Sequence, residues 1–308
     1  MLTDSKVVVI GSLNYDIIVK QQRMPAKGET VQGDDVIQGP GGKGANQAAS
    51  SALLGINTYM VGKVGDDRFG QALTGSLKAF GVNVDHVLKH KITGLGLVHS
   101  MPDGDYYSTV IKGSNGSVLK EDVDKVSELT KNADFLVLQD EIPAETSDYA
   151  IKKFSIEPVS IILNNAPARR VSKEILAKVD WLIVNEIEAQ IMADIKIDSR
   201  EKAFEASDKL LKMVKSGVVI TLGEHGSIAK TKNEKVFIPA KKNIHAIDTT
   251  GAGDSFIGGL ISAFEQKMNL KDSMRFATEV SAITVTKNGG QASFPTLKEI
   301  QKSFSKAK

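Results

Sequence analysis

The sequence contains no cysteine, so disulfide bridges, thiolate metal sites and a cysteine nucleophile are excluded. No apolar run approaches the roughly 20 residues that a membrane-spanning helix requires. Four of the first six residues are polar, and the apolar run at residues 7–10 is too short for the core of a signal peptide. We therefore expect a cytoplasmic protein that has no membrane partner.

Neither sign of charge is in excess, because 39 Lys and Arg residues stand against 37 Asp and Glu residues. This balance argues against nucleic-acid binding through bulk charge, although it leaves room for a local basic site. The length of 308 residues allows one large α/β domain with an insertion or two small domains.

Short, continuous runs of β-branched and other apolar residues recur along the chain. Their unbroken character is typical of strands that are covered on both faces. The runs alternate with segments of helical spacing, such as the apolar stripe within residues 203–214. This alternation predicts an α/β fold with a central, mostly parallel sheet flanked by helices. The runs lie at residues 7–10, 135–138, 159–163, 181–184 and 218–222.

Two regions, at about 15–39 and 92–112, do not follow this alternation. The first is extended and rich in turn residues. The second predicts a hairpin, with strands at 94–100 and 106–111 joined by a turn at 102–105. Together they predict a small sheet, which is either a lid over a site or an ordinary extension of the edge.

The segment at 248–256 (DTTGAGDSF) places a glycine-rich turn directly before an apolar helical run. The free N–H groups at the start of such a helix form an anion site that suits a phosphate. Asp254 then lies in the first turn, as a general base or as an N-capping residue. The segment matches neither common glycine motif, because Phe256 stands where a dinucleotide motif needs Gly and a P-loop needs Lys followed by Ser or Thr.

A second glycine-rich segment, at 39–49, also precedes a helix of small residues. Lys43 and Asn46 within it could bind the hydroxyls of a small polar ligand, or the small residues could serve only close packing. After the first predicted strand, Asn14 and Asp16 have the alternate spacing that places two side chains on one face. They could bind vicinal hydroxyls, or they could be ordinary turn residues.

Polar residues also follow three later strands. They are Glu141, the segment 185–188 and the segment 221–226. Oxygen-bearing side chains beside phosphates suit Mg²⁺, whereas each residue taken alone could simply cap a helix. Their shared position at one edge of the sheet favours a site.

The segments at 11–16, 41–47, 163–169, 185–188 and 248–254 together resemble the ribokinase family of carbohydrate kinases, in order and over nearly the whole chain. The resemblance implies a single ribokinase-like domain over residues 1–308, with a small lid sheet. It implies phosphorylation of the 5-hydroxyl of D-ribose by ATP, with Asp254 as base and Gly251, Ala252 and Gly253 as anion hole.

The resemblance also implies ligand contacts, residue by residue. Besides Asp254, the sugar contacts would be Asn14, Asp16, Gly42, Lys43, Gly44, Ala45, Asn46 and Glu141. The nucleotide contacts would be Asn185, Thr221, Gly223, Gly226, Gly253 and Thr278. Asn185 and Glu188 would position Mg²⁺, mostly through water. An activating K⁺ would have ligands at Asp248, Thr250, Thr284, Lys287, Gly289 and Ser293.

The lid sheet would also form a homodimer interface. Two alternatives remain open at this point. A kinase of the same family could act on deoxyribose, a nucleoside or another furanose, because residues 108–114 give little guidance on the sugar. A sugar-sensing protein without catalysis is the other alternative, and the intact Asp254 argues against it.

Overall fold

The computed structural model describes residues 5–102 and 105–306. The strands in this part of the chain are β1 (Lys6–Ile10), β2 (Asn14–Lys20), β3 (Asp35–Gly41), β4 (Asn57–Val64), β5 (Asn83–Lys89), β6 (Gly94–Ser100), β7 (Tyr106–Ile111), β8 (Phe135–Gln139), β9 (Ser160–Asn164), β10 (Trp181–Asn185), β11 (Gly217–Thr221), β12 (Ser227–Thr231) and β13 (Lys235–Ile238).

The helices of the same part are α1 (Lys43–Leu53), α2 (Arg68–Ala79), α3 (Lys120–Lys125), α4 (Ser127–Lys131), α5 (Ala144–Phe154), α6 (Lys173–Leu176), α7 (Glu186–Ala193), α8 (Arg200–Leu211), α9 (Ala252–Glu265), α10 (Leu270–Thr284) and α11 (Leu297–Lys306). Short 3₁₀ turns lie at Gly113–Ser117, Gly223–His225 and Gly290–Ser293. Within the described ranges, no helix combines the length and the apolar character needed to cross a membrane.

The large sheet has the strand order β13-β12-β11-β10-β9-β8-β1-β4-β5. All neighbouring pairs from β11 to β5 are parallel, and β12 and β13 add an antiparallel edge. Alternate residues of β1 enter opposite cores, with Val8 and Ile10 on one face and Val7 and Val9 on the other. Helices therefore cover both faces, which explains why the strands are continuously apolar.

The small sheet has the order β3-β2-β6-β7 and stands apart from the large one. Strands β6 and β7 pair antiparallel as the predicted hairpin, with Leu95 opposite Ile111. Part of the predicted turn, residues 103–104, lies outside the described residues. The predicted α/β fold, with a mostly parallel sheet, flanking helices and a separate small sheet, is confirmed.

The fold brings chemistry-bearing residues to one edge of the large sheet. Because parallel strands share a direction, the carboxyl ends of β1, β8, β9 and β10 meet there. Helices α1 and α9 pack against each other close to this edge, and Ser50 Oγ donates to the carbonyl of Ser255 at 3.3 Å. The small sheet connects directly to it, because β2 follows β1 after three residues and β3 ends just before α1.

Candidate active site

Two helices begin at the centre of the site, and both are preceded by a glycine with a positive φ. Gly42 precedes α1 with φ 88°, and Gly251 precedes α9 with φ 78°. Neither glycine has a side chain that could cap its helix, so the first N–H groups depend on other partners. The partial positive charge of two helix starts therefore falls on one small region.

Asp254 lies in the first turn of α9 and is 8% exposed. Its carboxylate bonds to α1 rather than to the backbone of its own helix: Asn46 Nδ2 donates to Oδ2 and Gln47 Nε2 donates to Oδ1, both at 2.9 Å. Burial raises the pKa of Asp254, while Lys43 and the two amides oppose that rise. Because Gly251 is the N-cap, the capping interpretation of Asp254 is wrong.

Glu141, just after β8, takes the place of a cap for α1. Its Oε2 accepts from the backbone N–H of Lys43 at 3.0 Å and from Ser12 Oγ at 2.5 Å. The N–H groups of Gly44 and Ala45 donate to Ser12, at 3.3 and 2.9 Å, so protein atoms already satisfy both groups.

Lys43 is surrounded by carboxylates. Burial alone would lower the pKa of its ammonium group, but Asp254, Glu141, Glu188 and Asp16 raise it above its usual value. Lys43 therefore stays charged, and it is the cation that balances this acidic cluster.

Asp16 projects from β2 of the small sheet. The neighbouring strands β3 and β6 leave space for its carboxylate because each has a glycine there. A Cβ at Gly41 or at Gly96 would overlap the carboxylate. Burial, followed by the charges of Glu141 and Asp254, raises the pKa of Asp16 to about 7 against the opposing effect of Lys43. Its carboxyl group therefore gains or loses its proton near neutral pH.

Asn14 begins β2 and is 4% exposed. Its Oδ1 accepts from Asn115 Nδ2 at 2.7 Å, and Asn115 also accepts from the backbone of Leu13 at 2.9 Å. These bonds fix Asn14 on the same strand as Asp16, two residues away, so that both side chains lie on one face.

A cleft of about 620 Å³ opens beside Asp254 and Lys43. Asn185, Thr221, Gly223 and the turn at 251–253 line it. A more apolar cavity of about 440 Å³ shares Thr221 and Gly223 with this cleft and is also lined by Gly226, Phe256 and Thr278. The predicted nucleotide residues thus line two cavities that share part of their walls.

Asn185 and Glu188 form a capping box at the start of α7. Asn185 Oδ1 accepts from the backbone of Glu188, and Glu188 Oε2 accepts from the backbone of Asn185, both at 2.8 Å. Burial raises the pKa of Glu188 despite this bond. The helix-cap interpretation therefore holds for both residues, while the other carboxylate oxygen of Glu188 is not used by the box.

Asp248 joins two of the segments predicted to bind K⁺. Its carboxylate accepts from the backbone of Thr250 at 2.9 Å and from the backbone of Gly289 at 3.0 Å. Burial alone would raise the pKa of Asp248, but these contacts hold it below its usual value. Ser293 Oγ donates to the carbonyl of Gly290 at 2.7 Å, and Thr284 Oγ1 lies 2.9 Å from Ser255 Oγ.

Several polar residues of this site were not among the predicted ones. Their common feature is a buried side chain that contacts a predicted residue, directly or through one neighbour. The strongest missed signal is that β8 and β9 each end on a polar residue, Gln139 and Asn164, and these are partners in the sheet. The missed residues are Ser12, Gln47, Asn115, Gln139, Asn164 and Gln291.

Comparison with known proteins agrees with the fold. Residues 4–297 match the model of the pfkB family carbohydrate kinases. A ribokinase of Schizosaccharomyces pombe is 36% identical and covers 97% of this chain and 97% of its own. A deoxyribokinase of Salmonella typhi is 32% identical, over 97% of this chain and 98% of its own.

A solved structure of Arabidopsis thaliana ribokinase, complexed with ribose and ATP, superimposes with a TM-score of 0.89. It is 29% identical, and the match covers 98% of each chain. The similarity therefore extends over the small sheet as well as the large one.

We expect Asp16 to lower the free energy of unfolding as the pH rises. Its pKa in the folded protein is about 7, above the ordinary 3.8, so between these values the folded chain holds a proton that the unfolded chain has released. The stability contribution is therefore lost from about pH 4 to pH 7 and stays lost above.

In the variant Asp16→Asn, the side chain at position 16 cannot titrate. We therefore subtract the free energy of unfolding of the unchanged protein from that of the variant. This difference should be larger at pH 8 than at pH 5. Urea denaturation at the two pH values measures this difference. The same difference at both values would show that Asp16 does not carry a raised pKa.

Proposed function

The chain belongs to the pfkB family of carbohydrate kinases, and we propose that within it the chain is a ribokinase. It would transfer the γ-phosphoryl group of ATP to the 5-hydroxyl of D-ribose, giving D-ribose 5-phosphate and ADP. The observation that carries the proposal is the position of Asp254, a buried carboxylate between two helix starts and beside the cleft.

Asp254 would act as the general base. As the ribose oxygen attacks phosphorus, its proton passes to the carboxylate, the new O–P bond forms and the bond from phosphorus to the ADP oxygen breaks. The raised pKa of Asp254 supports this role, because a base accepts a proton best when its pKa is not far below the working pH.

The turn at residues 251–253 would stabilise the transferring phosphoryl group. Its N–H groups open α9, where the helix dipole favours negative charge. In this structure the N–H of Ala252 donates to the carbonyl of Thr249 at 3.1 Å. That N–H would therefore exchange its partner when the phosphate arrives.

The sugar would lie between the small sheet and α1. Asp16 and Glu141 offer carboxylate oxygens to hydroxyls, Lys43 and Asn46 offer N–H donors, and Asn14 is fixed beside Asp16. A site that hydrogen-bonds a hydroxyl discriminates strongly against an analogue that lacks it. This polar surface favours ribose over deoxyribose, although the similar protein of Salmonella typhi is a deoxyribokinase.

Adenine would occupy the more apolar cavity near Thr278, and the phosphates would follow the glycines at 223, 251 and 253 toward Asp254. The described residues hold no cluster of three or more His, Asp or Glu side chains that could bind a metal by themselves. The donor set still fits Mg²⁺, which typically binds one or two carboxylates together with phosphates and water.

We propose that Glu188 holds Mg²⁺ through water and that Asn185 orients Glu188 through the capping box. When bound, this ion would neutralise charge that develops on the phosphates. The protein's own contribution would be to hold Glu188 at the wall of the cleft, with one carboxylate oxygen outside the capping box.

K⁺ would bind beside the anion-binding turn, at Asp248, Thr250, Thr284, Lys287, Gly289 and Ser293. These positions supply oxygen donors, which suit an alkali cation. Lys287 can serve only through its carbonyl, because its ammonium group is a donor and contacts Glu299 at 2.9 Å.

The small sheet would also join two copies of the chain. Its exposed apolar residues include Val36, Tyr107 and Val110, which are 49%, 57% and 57% exposed. Exposed apolar surface on a sheet favours an interface. Because the reaction draws on ATP and a free sugar, we propose a cytoplasmic location.

A sugar panel tests the proposed substrate. Purified protein with ATP and Mg²⁺ is assayed for ADP release with D-ribose, 2-deoxyribose, adenosine and fructose. We expect the highest kcat/KM with D-ribose. A preference for another sugar would make the chain a different kinase of the same family. Sugar binding without ADP release from any of them would favour a sensor.

Asp254→Asn should keep the fold and lower kcat by about 10²–10⁴-fold, because it removes the base. Asp208→Asn is the matched control, since Asp208 is an exposed residue of α8, and it should keep full activity. Circular dichroism of both variants is the control for folding. Retention of most activity by Asp254→Asn would remove the base assignment.

Replacement of K⁺ by Na⁺, at constant ionic strength, should lower kcat. Tetramethylammonium, which is too large for a site of protein oxygens, serves as the inert reference ion. Asp248→Asn should weaken the response to K⁺, because it alters the residue that joins both segments. Equal rates in all three salts would contradict the potassium proposal.

A further inference from the structure

Gln47 is fully buried on α1, and three other side chains hydrogen-bond to its amide. Its Nε2 donates to Asp254 Oδ1 at 2.9 Å and to Asn164 Oδ1 at 3.1 Å. Its Oε1 accepts from Gln139 Nε2 at 2.6 Å. One amide thus connects the ends of two strands to the carboxylate of Asp254.

A backbone carbonyl fixes the orientation of these amides. Asn164 Nδ2 donates to the carbonyl of Ile183 at 3.0 Å, and a carbonyl can only accept. Asn164 must therefore present its Oδ1 to Gln47, and Gln47 must present its NH₂ group. It follows that Gln47 Oε1 faces β8 and needs a donor there, which Gln139 supplies.

Gln139 keeps this orientation although it leaves its own oxygen without a bond. Gln139 Oε1 is buried and has no protein partner in the described part of the chain. Turning this amide over would oppose two oxygens, Gln139 Oε1 and Gln47 Oε1. The space for Gln139 Oε1 exists because residue 11 is glycine, since a Cβ there would overlap that atom.

We propose that Gln139 and Asn164 are positioning residues that lock the Gln47 amide so that its N–H always points at Asp254. The proposal rests on the proposed function, in which Asp254 is the base. Neither residue needs to touch the sugar for this role. Gln139 acts from the end of β8, and Asn164 from the end of β9.

The lock has a purpose because the carboxylates around Asp254 oppose its ionisation. Glu141, Asp16 and Glu188 are carboxylates in its surroundings, and the positive charge of Lys43 opposes their effect. Hydrogen bonds to the charged form of a carboxylate lower its pKa. Loss of the Gln47 donor should therefore raise the pKa of Asp254, and free rotation of the Gln47 amide should do so in part.

The experiment follows the Asp254 carboxyl group directly. Protein labelled with ¹³C at the Asp side-chain carboxyl is titrated by NMR, and Asp254→Asn assigns the signal. The variants are Gln47→Met, Gln139→Met and Asn164→Leu. Gln190→Met is the matched control, because the Gln190 side chain accepts from the backbone of Ile197 at 2.8 Å, near the end of α7.

We expect the pKa of Asp254 to rise by about one unit in Gln47→Met, and by a smaller amount in Gln139→Met and Asn164→Leu. Gln190→Met should leave it unchanged. The acid limb of kcat/KM against pH should move to higher pH in the same order. An unchanged Asp254 titration in both Gln139→Met and Asn164→Leu overturns the proposal.

Gly11→Ala provides an independent test that keeps every amide, because its Cβ would displace Gln139. If Gln139→Met or Asn164→Leu does not fold, the Asp254 titration in Gly11→Ala decides in its place. Failure of the ribose assay alone would remove the proposed function. The NMR titration does not depend on the substrate and would still decide whether the lock exists.

Discussion

In the mechanism that we propose, the site depends on keeping one carboxylate, Asp254, ionised although it is buried. Burial favours the neutral acid, and three neighbouring carboxylates add to that effect. Lys43, two amide donors and the start of α9 oppose it. The rest of the fold can be understood as the scaffold that brings these few groups together: two helices, the ends of four parallel strands and one strand of the small sheet.

Much of the fold could be predicted from the sequence, because its signals are local. Continuous apolar runs predicted β1, β8, β9, β10 and β11 to within one or two residues, since strands covered on both faces need no polar alternation. The edge strands β12 and β13 and the strands β4 and β5 carry polar residues among apolar ones, so no continuous run indicated them. The hairpin of β6 and β7 was predicted because two strands flank a turn-rich segment.

The site residues also divide into those with a local sequence signal and those without one. Glycine turns and first-turn acids are local, so Gly42, Gly251 and Asp254 could be predicted as candidates. Gln139 and Asn164 could not, because their meaning depends on the register that makes them partners in neighbouring strands. For Asn185 and Glu188, the local pattern allowed a cap or a metal site. The structure contains the cap, which uses one carboxylate oxygen of Glu188.

The most direct test of the account is a crystal structure with D-ribose and a non-hydrolysable ATP analogue. We expect the 5-hydroxyl oxygen to lie within about 2.6–3.2 Å of Asp254, with the terminal phosphate facing the turn at 251–253. Gln47 should still donate to Asp254 in that complex. A 5-hydroxyl directed away from Asp254, or bound to another side chain while the phosphate is in place, would contradict the central claim.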